Sequence, residues 1–326
     1  MKKTVLPIVY PPITTYPAIA NLFTILFGHE EDVYPWITDH YIQLMAVKDK
    51  FPPYLVWNFY DNGTFNQVLP VQRMPHIIFY REDRLFASRF FDKFTDYIKE
   101  AINDGYYVRT ALDLYYLNCS PCNIHNLHDG LIFGYDDVKN KIYIADFYTN
   151  NKYQFAEATY DEINLAFRKS EIIKESPDWH REIKLYKFQK YDYKTNFELF
   201  LTSVKDYIEC KDSLIKYKFS YAYERITDKL VYGLDYYDLL LKYGSDNIFD
   251  TRAFHLLYDH KVLWTLRLKY LKQQVLITEK VYSKFNPLFQ ELEKNSLIVR
   301  NKLLKYNLCK TDKNFHDILS GCEALR

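Results

Sequence analysis

Apolar and polar positions change period several times along the chain, and each change predicts an element. Residues 5–16 contain Pro7, Pro11 and Pro12 and read as an extended arm. Pro17 suits the first turn of a helix. Residues 18–27 (AIANLFTILF) are apolar almost all round, broken only by Asn21 and Thr24. That pattern predicts a helix buried on every side, closed at Gly28. Residues 34–47 read as a second helical segment. Short strand-like runs follow at 54–60, 65–70 and 76–80, with Asp61-Asn62-Gly63 as a turn between the first two. Residues 84–103 carry apolar side chains at helical spacing and stop at Asp104-Gly105.

Residues 106–117 then read as a kinked strand. Two further strands, HDGLIFGYDD (128–137) and KIYIADF (141–147), form a β-hairpin, and Tyr153 to Phe155 suggest a short third strand. Thr159 followed by Glu162 is a capping box opening a helix. Residues 170–192 are charged and irregular. From Asn196 onward the pattern is almost wholly helical, punctuated by Gly233 and Gly244-Ser245, with a long amphipathic run at 252–274. The expected class is α+β: an N-terminal domain over 1–190 with an antiparallel sheet and a buried first helix, then a helical accessory domain over 191–326.

Composition narrows the function classes. The chain has 326 residues, 48% hydrophobic and 26% charged, the balance of a globular protein. Forty-three basic and 42 acidic residues leave a net charge of +1, which offers no general electrostatic case for nucleic acid. The N-terminal Met1-Lys2-Lys3 is not followed by a long apolar stretch, and no apolar run reaches membrane-spanning length. Five cysteines, an odd count, suit a reducing compartment. A cytoplasmic protein is expected, with no membrane partner.

The hairpin carries the chemistry. If its turn is centred on Val138, His128 lies opposite Tyr148, and Asp146 falls on the same face as His128. The two would be diagonal neighbours roughly 7–8 Å apart at the backbone. Gly130 would stand opposite Asp146 and leave it room. A carboxylate that accepts the Nδ1 proton fixes the imidazole tautomer, so the other nitrogen can act as a base near neutral pH. A one-residue slip in register would put the pair on opposite faces.

The sequence H-D-G-L-I-F-G-Y-D-D…K-I-Y-I-A-D-F resembles the His and Asp strands of papain-like, C39-peptidase-like proteins. More narrowly, it resembles the butirosin biosynthesis protein H N-terminal family. The resemblance covers roughly residues 5–170. It implies a papain-like cysteine-protease fold and transfer of an acyl group from a carrier-protein thioester to an amine, forming an amide in natural-product biosynthesis. The acyl group would arrive on the phosphopantetheine arm of an acyl or peptidyl carrier protein, with a small amine as acceptor and no other cofactor. It assigns His128 and Asp146 as catalytic. The family's third residue, a cysteine on the first helix, has no counterpart here: Tyr16, Ala18 and Ala20 occupy the helix start.

Cys119 and Cys122 are the alternative nucleophiles. Their C-x2-C-x2-H-x2-H run, ending in His125 and His128, is compressed relative to zinc-site spacings, so two free thiols in a loop are expected and no metal. His255 and His260 read as surface or helix-packing residues. A catalytically inactive papain-like shell that binds a carrier protein or peptide is the alternative, and a C39-like cysteine peptidase ranks third because amides are poorer electrophiles than thioesters.

Overall fold

The computed structural model describes residues 2–47, 57–59, 74–149, 152–168, 178–213, 230–245, 250–309 and 312–325. The runs expected at 65–70 and the turn at Asp61-Asn62-Gly63 lie outside them. The fold is mixed α and β, and the chain forms two compact units. One comprises Met1–Glu30 and Val71–Tyr191; the other comprises Glu31–Pro70 and Asp192–Arg326. The chain thus changes unit at residue 191, and the segment from Glu31 to Pro70 groups with the C-terminal half.

The first unit is built on a seven-stranded antiparallel sheet. Its elements in chain order are β1 (Lys3–Val5), α1 (Pro17–Leu26), β2 (Ile77–Asp83), α2 (Arg84–Ala87), α3 (Phe94–Asn103), β3 (Tyr107–Asp113), β4 (Leu127–Asp136), β5 (Lys141–Thr149), β6 (Lys152–Thr159), α4 (Tyr160–Arg168) and β7 (Glu182–Phe188). The strand order is β2-β7-β3-β4-β5-β6, and β1 pairs with the last part of β4. On one face, Val108, Leu112, Ile132, Ile144, Tyr148, Ile183 and Leu185 pack with Phe94, Ile98 and Ile102 of α3 and Ile163, Ala166 and Phe167 of α4. On the other face α1 is fastened through Tyr153: the tyrosine hydroxyl donates to Asn21 (2.8 Å) and accepts from Thr24 (3.1 Å). Residues 19–26 of α1 are all buried, so the two polar side chains in this apolar helix earn their place as tethers.

Local sequence explains most elements. The expected capping box forms, with Thr159 N–H donating to Glu162 (2.6 Å) and Glu162 N–H to the Thr159 hydroxyl (3.2 Å). Arg84–Asn103 is not one helix: α2 and α3 are separated by a turn. The helix expected over 34–47 is also corrected. A helix spans Glu30–Asp39, Tyr41 takes a left-handed φ of 55°, and Leu44–Val47 is a strand. β7, inside the stretch read as irregular, is an interior strand between β2 and β3.

The second unit contains a three-stranded sheet (Leu44–Val47, Trp57–Phe59, Leu230–Tyr232) and helices at Phe197–Ile208, Asp235–Ser245, Thr251–Gln273, Glu279–Cys309 and Asp312–Glu323, besides the one ending at Asp39. Arg267 explains why a cation sits in its interior. The residue is 1% exposed and donates to the carbonyls of Ile37 (3.2 Å), Thr38 (2.7 Å) and His40 (2.8 Å), at the C-terminal end of the Glu30–Asp39 helix. His260 is fully buried against the Ile42 carbonyl, and His255 accepts a hydrogen bond from Arg300. Among the described residues no helix is long and apolar enough to cross a membrane.

Gly134 lets β1 close on β4. A Cβ there would lie 2.8 Å from the Thr4 carbonyl oxygen and 3.0 Å from Val5 Cα, both backbone atoms of the paired strand. Gly134→Ala should therefore lower unfolding stability by about 1–3 kcal/mol. Urea denaturation checks this, and an unchanged midpoint would contradict the close approach.

Candidate functional site

The geometry of the β4–β5 hairpin decides whether His128 and Asp146 can meet. Its turn, residues 137–140, is held by the Asp136 carboxylate, which accepts the N–H groups of Val138 and Lys139 (both 3.0 Å). Asn140 closes it with a φ of 55°. Beside this turn the partners are Asp136↔Lys141, Tyr135↔Ile142 and Gly134↔Tyr143. Continued unchanged, that register would set His128 opposite Thr149, and Asp146 would face away from it. A β-bulge between Ile132 and Gly134 inserts Phe133 as an extra residue, after which the pairs are Ile132↔Ile144 and Leu131↔Ala145. The one-residue shift restores the parity that brings His128 and Asp146 to one face. The bulge has its own supports: the Phe133 carbonyl accepts Leu6 N–H (2.8 Å), and its ring stacks on Tyr143 (6.1 Å).

The result is a hydrogen bond of 2.5 Å between His128 Nδ1 and Asp146 Oδ2. The two ends of this bond are in different surroundings. The Asp146 side chain is 1% exposed, whereas the imidazole is 29% exposed, so Nε2 can meet a ligand from solvent. The Phe147 ring lies edge-on to the imidazole at 6.2 Å. Burial pulls the His128 pKa down, but the hydrogen bond to Asp146 and the charge of that carboxylate outweigh it, and the pKa lies above its ordinary value. Gly130 supplies room on this face: a Cβ there would touch Leu112 and the Tyr148 hydroxyl at 3.4 Å.

Directly behind, on the other face of the sheet, Arg109 and Asp129 form a buried ion pair, and Arg109 also donates to Tyr186 (3.3 Å). Asn21 of α1 donates to the Asp129 carbonyl (3.1 Å), which ties α1 to the strand residue next to His128. Tyr16, Ala18 and Ala20 thus lie at the start of a helix packed on the Tyr153 face, while the imidazole projects from the Tyr148 face.

A second His–Asp pair escaped the sequence reading. His125 Nδ1 is 2.7 Å from Asp113 Oδ2. Asp113 is fully buried, and its other oxygen accepts the N–H groups of Tyr115 and Asn126 (both 3.1 Å). One carboxylate thereby pins both ends of the 114–126 loop, and its role is structural. The pairing follows from the β3–β4 register, which sets Asp113 opposite Leu127, two residues from His125. That loop carries Cys119 and Cys122. Both thiols are free, and the Cys122 thiol bonds to the Ile124 carbonyl (3.1 Å). Burial pushes the Cys119 thiol up to about 11, and the charges of Glu162 and Asp146 add to it. The two histidines of the C-x2-C-x2-H-x2-H run are committed to separate carboxylates. Among the described residues no three His, Cys, Asp or Glu side chains converge to hold a metal ion.

No protein-family model matches the chain, and no curated protein matches it significantly.

Asp146→Asn should drop the His128 pKa from above its ordinary 6.5 to below it, because burial then acts unopposed. An NMR titration of the His128 Cε1–H resonance reads the shift, and an unmoved pKa would contradict it. Because the folded pKa is the higher one, the imidazole's contribution to stability is complete below the unfolded value. It is lost as pH rises through the folded value.

Proposed function

We propose that this chain is an acyltransferase that forms an amide from a thioester and an amine, with His128 as general base on a papain-like, C39-like N-terminal domain. The observation that carries the reading is the 2.5 Å bond from a buried Asp146 to a partly exposed His128. Asp146 keeps the proton on Nδ1 and leaves Nε2 free to accept one. As the amine nitrogen attacks the thioester carbonyl, Nε2 takes its proton and the C–N bond forms. The tetrahedral intermediate collapses, the C–S bond breaks, and His128 returns the proton to the departing thiolate. A thioester is already activated, so a base and correct positioning suffice for this step. In line with the family resemblance, the acyl donor is a phosphopantetheine thioester on an acyl or peptidyl carrier protein, and the acceptor is a small amine.

Direct aminolysis fits the residues present better than a covalent route. The start of α1 offers Tyr16, Ala18 and Ala20 and no thiol. Cys119, the thiol that feels the Asp146 charge, is held protonated by its surroundings. The missing helix-start thiol also favours a second reading, a non-catalytic shell that binds a carrier protein or peptide.

Acyl-pantetheine and methoxyamine, an amine that stays neutral in the working range, separate the two. The full chain should release the thiol and form the amide. His128→Gln should slow this by roughly 100-fold or more, the size of a lost general base. The rate should rise with pH and level off above pH 6.5, following deprotonation of an imidazole whose pKa is raised. Equal rates for wild type and His128→Gln would sink the catalytic reading, and an acyl group retained on Cys119 in the intact mass would restore the covalent route.

A further inference from the structure

On the first unit, a cavity of about 430 Å³ lies between the end of β2, α2 and the first turns of α3. No step proposed for His128 uses it. Its walls are largely aromatic: Phe90, Phe91 and Tyr97 line it together with Ala87. Phe91 and Tyr97 meet at 5.2 Å with their planes tilted by 47°, which makes a corner rather than a flat stack. Phe90 stands 74% exposed beside it, a large apolar ring left in water.

Four carboxylates, Glu82, Asp92, Asp96 and Glu100, share the same lining. Tyr97 fixes Glu82 by donating to it (2.8 Å). Three cations of this segment are engaged elsewhere, and Arg89 and the exposed Lys93 remain near the cavity. Arg81 pairs with Glu182 (3.2 Å), Lys99 with Asp137 (2.7 Å), and the buried Arg84 donates to the carbonyls of Ala111 and Phe167. Arg89 lies over the Phe86 ring. The four lining carboxylates form no ion pair among the described residues and outnumber Arg89 and Lys93, so their field favours a positive guest.

The shape of the lining decides which kind of cation. A metal ion needs several oxygens converging at bonding distance. Among the described residues no three acidic, His or Cys side chains converge in that way, and aromatic walls offer a hard cation no ligands. Ring faces do attract a large, weakly hydrated cation, and a space of this size fits a small organic molecule. We infer that this cavity binds a small alkylammonium compound, its cationic head held against Phe90, Phe91 and Tyr97 and its charge balanced by the surrounding carboxylates. The inference is independent of the His128 reading.

Choline is the probe, and its uncharged carbon isostere 3,3-dimethyl-1-butanol is the control. Both are titrated into the full chain while the side-chain resonances of Phe90 and Tyr97 are followed by NMR. Choline should give saturable shifts, and the isostere should bind at least about five-fold more weakly, the range of a cation–π contribution. Phe90→Ala and the double variant Asp92→Asn/Asp96→Asn should each weaken choline by a similar factor. Phe90, Asp92 and Asp96 are exposed, so these changes leave the core intact. Equal binding of the isostere, no saturable shift, or tighter binding of Ca²⁺ than of choline at these resonances would overturn the assignment.

Discussion

One inserted residue governs the site. The hairpin turn at 137–140 and the His–Asp pair demand opposite registers of the same two strands, and Phe133 reconciles them. Side chains alternate between faces with a period of two, so a strand cannot accommodate a one-residue shift gradually. It must absorb the shift at a point, and the bulge is that point. Everything around Phe133 serves to hold it there: β1 pairs beside it, Leu6 N–H binds its carbonyl, and Gly134 admits β1 to the contact.

Burial then assigns different tasks to two similar pairs. Asp113 at the end of β3 and Asp146 within β5 are both buried, and both bind a histidine through Nδ1. Asp113 also accepts two backbone N–H groups, so its charge is spent on closing a loop. Asp146 faces the polar cluster of Arg109, Asp129 and Tyr153 across the sheet, and its hydrogen bond to His128 raises the basicity of a partly exposed imidazole. A histidine beside an aspartate is thus an incomplete description of a site. What distinguishes the pairs is the number of other donors the carboxylate must satisfy.

The parts legible in the sequence were those set by short-range rules. The buried first helix, the Thr159–Glu162 capping box and the hairpin followed from pattern and spacing. His128 and Asp146 were paired correctly from an assumed turn centred on Val138, although the real turn has a different register and the bulge restores the assumed one. Nothing in the order of residues announces that cancellation. Strand β7 was missed for another reason. Glu182, Lys184 and Lys187 suggest solvent, yet Lys184 is nine-tenths buried beside Glu182, an arrangement that only the tertiary structure creates. Leu44–Val47 is four apolar residues long, too short for periodicity to separate strand from helix. The role of Asp113 needed the β3–β4 register, which no local signal supplies.

The most direct test of this account is the NMR signal of the His128 Nδ1 proton in the full chain and in a variant lacking Phe133. With Phe133 present, the short bond to Asp146 should move that proton far downfield and protect it from exchange. Without Phe133, Gly134↔Tyr143 and Ile132↔Ile144 become consecutive pairs, so the ladder runs unbroken from the turn with His128 and Asp146 still on one face, and the signal should persist. Loss of the downfield His128 proton on deletion would contradict the claim that the bulge brings the pair together by absorbing one surplus residue between the turn and the site.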